Sequence, residues 1–151
     1  MSNALHNTPG SIFELFNEIG IINQLSRAFL EERLPDGVLS THFSVLNHLI
    51  RVNDGTTPKR IASAFQVPKN SMTHTLAGLE ARGLIEMRPH ETDKRSKTIW
   101  ITDAGRQFRD EAIATLARDM LPILPEMDAS DLAQTTAFLR HVREVLDKAR
   151  D

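Results

Sequence analysis

The sequence predicts a mainly α fold with one small β-hairpin. Three observations carry this prediction: two helical segments joined by a short turn over residues 57–82, a pair of short β-branched segments after them, and a charged turn between those two segments. Apolar residues at helical spacing fill the chain on both sides of this unit. The order helix, turn, helix, strand, charged turn, strand is that of a winged helix-turn-helix, here flanked by N- and C-terminal helices.

Composition favours one globular domain, which we expect to span residues 1–151. The chain is 40% hydrophobic and 25% charged, and its length suffices for one hydrophobic core. No apolar run is long enough to span a bilayer and no signal peptide is visible, so we expect a cytoplasmic protein without a membrane partner. The absence of cysteine excludes disulfides, thiolate metal sites and thiol redox chemistry.

The first helix is predicted to begin at a capping box, Ser11 to Glu14, with residues 1–10 outside the fold. It is predicted to run to about Leu34, where Pro35-Asp36-Gly37 stops it. Two apolar stripes lie along it, one of Ile12, Leu15, Phe16, Ile19 and Ile22 and one of Ile21, Leu25 and Ala28. This is more apolar surface than one packed side needs. A second helix is predicted over Thr41–Val52, closed by Asn53-Asp54-Gly55.

Two further helices form the predicted helix-turn-helix. Thr57-Pro58 begins the first, with Thr as N-cap and Pro at the first helical position. The second is predicted over Lys69–Arg82. Its inner stripe is Met72, Leu76, Leu79 and Gly83, with Gly83 also ending the helix; its polar face carries Asn70, His74 and Gly78, with Lys69, Ser71 and Thr73 near the start. Small polar groups on such a face can bond phosphates and base edges in a major groove, although a merely solvated face is the alternative.

The hairpin pairs Leu84–Arg88 with Thr98–Ile101 around a charged tip. The tip holds His90, Lys94, Arg95 and Lys97 against Glu91 and Asp93, so three fixed positive charges are available to phosphates or a minor groove. The spacing predicts that the Asp93 carboxylate holds the Arg95 guanidinium by a charge-assisted fork. A solvated turn is again the alternative.

Two helices are predicted after the hairpin. Thr102 caps the first, Asp103 to about Leu121, which Pro122 and Pro125 end. The last runs from about Asp128 to Ala149 and is expected to bury Leu132, Leu139, Val142 and Leu146. The first and last helices of the chain therefore both have spare apolar surface. A monomeric bundle that uses this surface internally is the alternative to a second subunit.

Charge is concentrated in the centre of the chain although the whole carries a net charge of −2. Residues 57–101 hold eight Lys or Arg and four Asp or Glu, a net charge of +4, whereas the remainder holds ten basic and sixteen acidic residues. A basic segment between acidic flanks can bind DNA locally while the flanks orient the approach. Chance clustering is the alternative for counts this small.

Two segments carry a resemblance to a known family, the MarR family of winged helix-turn-helix transcription regulators. Asp93 to Gly105 is similar to the family's wing signature, and Ser71 to Ile85 resembles its recognition helix running into Leu-Glu-x-x-Gly-Leu-Ile. The resemblance covers about residues 11–149 and implies a homodimer with helical dimerisation parts at 11–56 and 103–149 and a DNA-binding part at 57–102. It also implies a palindromic double-stranded DNA operator, with Arg95 in the minor groove and the Lys69 to His74 turn in the major groove. The DNA-binding candidates are Lys69, Asn70, Ser71, Thr73, His74, Arg88, Asp93, Lys94, Arg95 and Lys97.

Two positions depart from the family pattern. Pro68 stands where an N-cap Ser or Asp is common, so the recognition helix is expected to begin at Asn70 or to rely on another group. Gln66 stands where a Gly is common, which predicts a strained or altered turn.

The resemblance also implies a small, often anionic, aromatic effector in a crevice between the dimer helices and the winged part. The candidates for its wall and anion partners are Arg27, His42, Phe43, Leu46, Arg51 and Phe108; simple core packing is the alternative for them. No catalytic triad, phosphate loop or metal motif is present, and lone histidines are more often structural. We therefore expect a homodimeric, ligand-responsive repressor rather than an enzyme, with no cofactor and no metal. A winged-helix protein-interaction module without DNA binding is the other function considered.

Overall fold

The structure, a computed structural model, describes residues 9–52, 54–124 and 127–150. Within these residues the chain forms six α-helices and one two-stranded sheet, the mainly α fold with a hairpin that the sequence predicts. The elements are α1 (Pro9–Glu31), α2 (Ser40–Arg51), α3 (Pro58–Phe65), α4 (Lys69–Ala81), β1 (Ile85–Pro89), β2 (Lys97–Ile101), α5 (Asp103–Met120) and α6 (Ala129–Lys148). The chain divides into two compact units, Met1–Leu116 and Ala117–Asp151. None of the helices described is long and apolar enough to cross a membrane.

The core of the first unit lies among α2, α3, α4 and the hairpin. Its fully buried side chains are Val45, Leu46, Leu49, Ile61, Leu76, Leu79, Ile85 and Ile99. On α2 and α4 these residues recur at helical spacing, which places them on one face of each helix. The predicted stripe Met72, Leu76 and Leu79 of α4 is buried, and this part of the prediction is confirmed.

The strands β1 and β2 pair antiparallel, with Ile85 opposite Ile101 and Met87 opposite Ile99. Because side chains alternate along a strand, these residues share the face that packs on the core. Glu86 opposite Trp100 and Arg88 opposite Thr98 share the other face. The hairpin from Ile85 to Ile101 is called the wing below.

Local signals set most of the boundaries near α3 and α4. Thr57 is the N-cap of α3, its side chain accepting a hydrogen bond from the Arg60 N–H (3.4 Å), and Pro58 is the first helical residue. Gly83 follows α4 with a positive φ of 67°, and the predicted role of this glycine in ending the helix is present. Gly83 is exposed, however, and does not belong to the buried stripe. Gln66 ends α3 in the left-handed conformation at φ 53°, so the altered turn predicted there is present. Helix α4 begins at Lys69 directly after Pro68, without the predicted shift to Asn70.

The start and end of α1 differ from the prediction. The helix begins at Pro9, so Ser11 lies in its first turn and the predicted capping box is wrong. Proline favours the first helical position because it has no N–H to leave unpaired, and this signal outweighs Ser11. Residues 32–34 form a turn rather than a last helical turn, since Leu34 precedes Pro35 and is disfavoured from the helical conformation. Residues 1–8, Asn53 and Pro125, which also entered the predictions, lie outside the described residues.

Many apolar side chains of α1 and α6 are exposed. On α1 these are Ile12, Phe13, Phe16, Ile21, Ile22 and Leu25. On α6 they are Leu132, Phe138, Leu139, Val145 and Leu146. No residue of α6 is buried within the chain, so the predicted burial of Leu132, Leu139, Val142 and Leu146 is wrong for the single chain. The predicted excess of apolar surface on both helices is present.

Candidate nucleic-acid interface

A groove of about 320 Å³ lies between the start of α3, the start of α4 and the wing. It is lined by Thr57, Pro58, Lys59, Lys69, Thr73, Leu76, Met87, Arg95, Ser96 and Lys97. Four of these residues are cationic and none is acidic. We call this feature the basic groove. It brings together Lys69, Thr73, Arg95 and Lys97 of the predicted DNA-binding set and adds Lys59, which the sequence analysis counted as charge but did not select.

The start of α4 presents the polar residues of the predicted set to solvent. Lys69, Asn70, Ser71, Thr73 and His74 are all exposed. The Thr73 hydroxyl donates to the Lys69 carbonyl oxygen (2.9 Å), which ties it to the backbone one turn earlier. Pro68 supplies no side-chain cap, so the positive end of the helix is not screened by an N-cap side chain. A polar helix start with this charge can accept anionic groups.

The tip of the wing is organised by two side chains that bond to the backbone. The Nδ1 atom of His90 accepts hydrogen bonds from the N–H groups of Thr92 and Asp93, both at 3.3 Å. The Oδ1 atom of Asp93 accepts from the N–H of Arg95 (3.0 Å). The predicted fork between Asp93 and the Arg95 guanidinium is therefore wrong: at a separation of two residues the carboxylate closes the turn by bonding to the backbone.

Arg95 is thus presented by a fixed turn. Its side chain is exposed, as are those of Lys94 and Lys97, and the part of the chain that the structure describes places no carboxylate against its guanidinium. The charge of Arg95 remains available to an anionic partner at the edge of the basic groove.

Arg88 differs from the other candidate cations. It forms an ion pair with Glu86, and its guanidinium carbon lies 4.7 Å from the centre of the Trp100 ring. Both contacts lie on the wing face opposite the core-packing residues. The structure does not bring Arg88 to the basic groove, because residues next to each other on a strand point to opposite faces.

Asp54 anchors the wing, a role that the sequence analysis did not assign to it. Its Oδ1 atom accepts from the Ile101 N–H (2.9 Å) and its Oδ2 atom from Arg106 (3.1 Å). The adjacent Thr56 pairs with Ile99, whose N–H donates to the Thr56 carbonyl oxygen (2.8 Å). The Asp-Gly pair at 54–55 indicates a turn that ends α2, but it does not indicate these partners. These bonds hold β2 against the loop that leads into α3.

The six predicted effector residues are not brought into one crevice. Arg27 and Phe43 line a hollow of about 640 Å³, together with Asn23, Ser26, Leu30, Ser40, Thr41, Ser44, Phe65 and Leu116. Leu46 is fully buried in the core, and Phe108 packs against the core and lines a separate hollow of about 200 Å³. Arg51 is exposed at the end of α2.

His42 does not reach that hollow. The residue is 8% exposed, the Nδ1 atom of its ring accepts from the Leu39 N–H (2.9 Å), and the other edge of the ring faces Gly78 of α4. Burial lowers the pKa of His42, and the nearby positive charges of Arg82 and His74 lower it further. A neutral histidine facing α4 cannot serve as the anion partner that the sequence analysis proposed for it.

These features define a class of protein. A helix-turn-helix with an exposed polar second helix, followed by a wing with a cationic edge, is the architecture of winged helix-turn-helix proteins. Comparison with known proteins identifies the group. The sequence profile of the MarR family matches residues 36–96. Wild-type MarR from E. coli in its apo form is 25% identical, with a TM-score of 0.70 over 85% of this chain and 96% of that chain.

Two further solved structures are similar. A MarR transcriptional regulator from Methanosarcina mazei Go1 is 18% identical, with a TM-score of 0.77 over 89% of this chain and 97% of that chain. A mutant of E. coli MarR complexed with operator DNA is 25% identical, with a TM-score of 0.68 over 87% of this chain and 94% of that chain. Over residues 36–96 the chain matches the MarR family, and its fold is that of MarR family winged-helix transcriptional regulators, which are regulators rather than enzymes.

Proposed function

We propose that this protein is a homodimeric repressor that binds a palindromic double-stranded DNA operator and responds to a small effector. The observation that carries the DNA-binding part is the basic groove, where Lys59, Lys69, Arg95 and Lys97 surround a cavity without an acidic residue. Cations concentrated in this way neutralise phosphates and release counterions, which supplies much of the affinity for duplex DNA.

In this proposal residues 57–102 form the DNA-binding part, in which α4 and the wing contact different grooves of the DNA. The start of α4 enters the major groove, where Asn70, Ser71 and His74 contact base edges and Lys69 and Thr73 contact phosphates. Arg95, Lys94 and Lys97 on the wing approach the adjacent minor groove, with Asp93 and His90 fixing the turn that presents them. Arg88 contributes through its contacts with Glu86 and Trp100 on the wing rather than by direct contact with DNA. The similarity to MarR complexed with operator DNA supports this assignment.

The homodimer is supported by the exposed apolar surface of α1 and α6. Phe13 of α1 is 69% exposed and Phe138 of α6 is 53% exposed, and each lies among other exposed apolar residues on its helix. Exposed apolar surface on this scale is a property of association surfaces. Residues 11–56 and 103–149 are the parts of the chain that we assign to the dimer, and a two-fold symmetric dimer accounts for a palindromic operator.

The proposed effector site retains two of the six residues predicted from the sequence, Arg27 and Phe43. The 640 Å³ hollow offers the cation Arg27, the ring of Phe43 and several hydroxyl groups, a combination that suits a small anionic aromatic molecule. Such a molecule lowers operator affinity only if it binds more tightly to the DNA-free geometry. Titration of the protein–operator complex with aromatic carboxylates should release DNA from the parent but not from Arg27→Ala.

Arg95→Ala, compared with Arg88→Ala, tests the proposed function. Both changes remove one guanidinium from the wing, but only Arg95 lies at the basic groove with its charge unpaired. We expect Arg95→Ala to weaken operator binding by about 1–3 kcal/mol, with Asp93→Ala weakening it less because it only loosens the turn. Arg88→Ala should cost less than roughly 1 kcal/mol because its charge is already paired. Equal affinity of Arg95→Ala and the parent at moderate salt would show that the wing assignment is wrong.

Salt dependence separates this function from that of a winged-helix protein-interaction module. Binding to duplex DNA through phosphates weakens steeply as salt increases, because the counterions released from each neutralised phosphate then enter a more concentrated solution and gain less entropy. The parent should therefore lose affinity steadily between low and moderate salt. No DNA binding at low salt would favour the interaction module.

A further inference from the structure

The side chain of His42 of α2 approaches the backbone of α4 closely at Gly78, the one glycine of that helix. A Cβ atom placed at Gly78 would lie 2.8 Å from the His42 Nε2 atom and 3.6 Å from Cδ2. Separations below 3.0 Å are not tolerated without movement of one of the partners. Gly78 therefore allows an approach between the two helices that any larger residue would prevent.

The ring of His42 is held at its other edge, so it cannot simply turn away. Its Nδ1 atom accepts from the N–H of Leu39, the N-cap of α2 (2.9 Å). The start of α2 is itself tied to α1, since the Oε1 atom of Glu31 accepts from the Ser40 N–H (2.9 Å) and the Ser40 hydroxyl (2.6 Å). The ring is a fixed spacer between the start of α2 and the backbone of α4.

Gly78 lies on the same side of α4 as two residues assigned to the DNA contact. Asn70, His74 and Gly78 are separated by four residues each, and residues at this spacing lie one above another on a helix face. A displacement of α4 at Gly78 consequently changes the position of His74 and Asn70 in the major groove of the DNA. Base contacts depend on position far more strongly than the attraction between cations and phosphates does.

We propose that His42 is a positioning residue for operator recognition: its contact with Gly78 sets the spacing between α2 and α4 and thereby aims the polar face of α4 at the bases. This inference rests on the proposed function. It assigns sequence specificity to a contact that lies outside the DNA interface and contributes nothing to the phosphate contacts.

The test is a double-mutant cycle on the full-length protein with Gly78→Ala, His42→Ala and the combined variant. Affinity is measured for the operator selected by the parent and for an unrelated duplex, each over a series of salt concentrations. Gly78→Ala should weaken operator binding about tenfold, roughly the loss of one good base contact, while its binding to unrelated DNA and its salt slope stay unchanged. The fold loss of operator affinity in the double variant should be smaller than the product of the fold losses in the two single variants. The reason is that the space left by the ring accommodates the new methyl group.

Thermal unfolding and a matched variant separate positioning from damage to the fold. Ala is a better helix former than Gly, so Gly78→Ala should not lower the unfolding midpoint substantially. Ala81→Ser makes a change of similar size at an exposed position of the same helix, away from the contact with His42 and from the residues assigned to DNA, and it should bind operator like the parent.

Two results would overturn the proposal, and they differ from failure of the proposed function. If Gly78→Ala retains parental affinity and specificity, or if the losses in the cycle simply multiply, His42 does not position α4 for the operator. If the parent itself selects no DNA sequence, the proposed function fails first and the positioning role fails with it.

Discussion

The helix-turn-helix with its wing buries its apolar side chains, whereas the C-terminal helix α6 leaves its apolar side chains exposed. In the first region, Leu76 and Ile99 are 0% exposed and pack in a continuous core. On α6, Leu146 is 49% exposed and no residue is buried. Both regions have apolar residues at helical spacing, so the sequence pattern alone does not distinguish them. The difference indicates that the winged part carries its own stabilising core, whereas α6 has an apolar face that stays exposed on the single chain, the face assigned above to the proposed dimer.

The same chemical change in the two regions should have different effects, and this is the largest difference we expect. Leu76→Ala should lower the free energy of unfolding by about 2–5 kcal/mol, because it leaves a cavity in a closed core. Leu146→Ala should instead weaken the dimer with little effect on the core. Chemical denaturation at several protein concentrations measures both. A loss at Leu146 that matches the loss at Leu76 and is independent of concentration would indicate that α6 packs within its own chain.

A charge on α6 sharpens the comparison further. In the proposed dimer, Leu146→Asp places two carboxylates in a symmetric interface, and we expect dimer affinity to fall at least roughly 100-fold because a buried unpaired charge is costly. Sedimentation of the variant at micromolar concentration should give the mass of a monomer. The unfolding midpoint of the parent should rise with protein concentration, and that of the variant should not. A monomeric parent under the same conditions would contradict the assignment of α6 to a dimer.

Acid should destabilise the core that α2 shares with α3, α4 and the wing, because of two histidines on α2. Burial lowers the pKa of His42 and of His48, and nearby positive charges, among them Arg51 for His48, lower them further. The unfolded chain, with ordinary histidine pKa values of about 6.5, then binds protons that the folded chain does not. The free energy of unfolding should be constant above that pH and fall as the pH decreases below it. The decrease should be smaller in His48→Leu; an unchanged slope would show that His48 does not contribute.

The smallest effect is expected at the turn between α3 and α4. Gln66 has a φ of 53°, a conformation that costs a residue with a side chain more than it costs glycine. Gln66→Gly should raise the free energy of unfolding by about 1 kcal/mol or less, because the greater freedom of glycine in the unfolded chain offsets part of the gain. Thermal denaturation measures this, with Leu76→Ala as a reference for a core change in the same region. A clear loss of stability would indicate that the Gln66 side chain contributes a contact of its own.

Local signals account for the parts of the fold that the sequence predicts well. The Thr57-Pro58 helix start and the Gly83 helix end depend on the conformational preferences of single residues, and both are present. At the start of α1 two such signals compete, the capping box at Ser11 and the proline at position 9. The helix begins at Pro9, so the prediction from Ser11 was wrong. The alternation of side chains along a strand predicts the face on which Arg88 lies. Met87 packs on the core, so the side chain of its neighbour Arg88 points to the opposite face.

Tertiary contacts explain what the sequence did not predict. His42 has the residue type of an anion partner, but its role depends on Leu39 and on Gly78, which lies 36 residues further along the chain. Asp54 similarly bonds to Ile101 and Arg106, and nothing in its local sequence indicates those partners. The spacing of Asp93 and Arg95 identified an interacting pair correctly but not the atom that accepts the bond, since the carboxylate bonds to the backbone N–H.

Selection of bound duplexes from random DNA by the parent protein, with the mass of the selected complex, tests the central claim most directly. A dimer that places one α4 in each of two major grooves should enrich an inverted repeat whose half-site centres lie about one helical turn apart, roughly 10 base pairs. The selected complex should contain two chains per duplex. Recovery of no enriched sequence, or of a single half-site bound by one chain, would contradict the account of this protein as a dimeric operator-binding regulator.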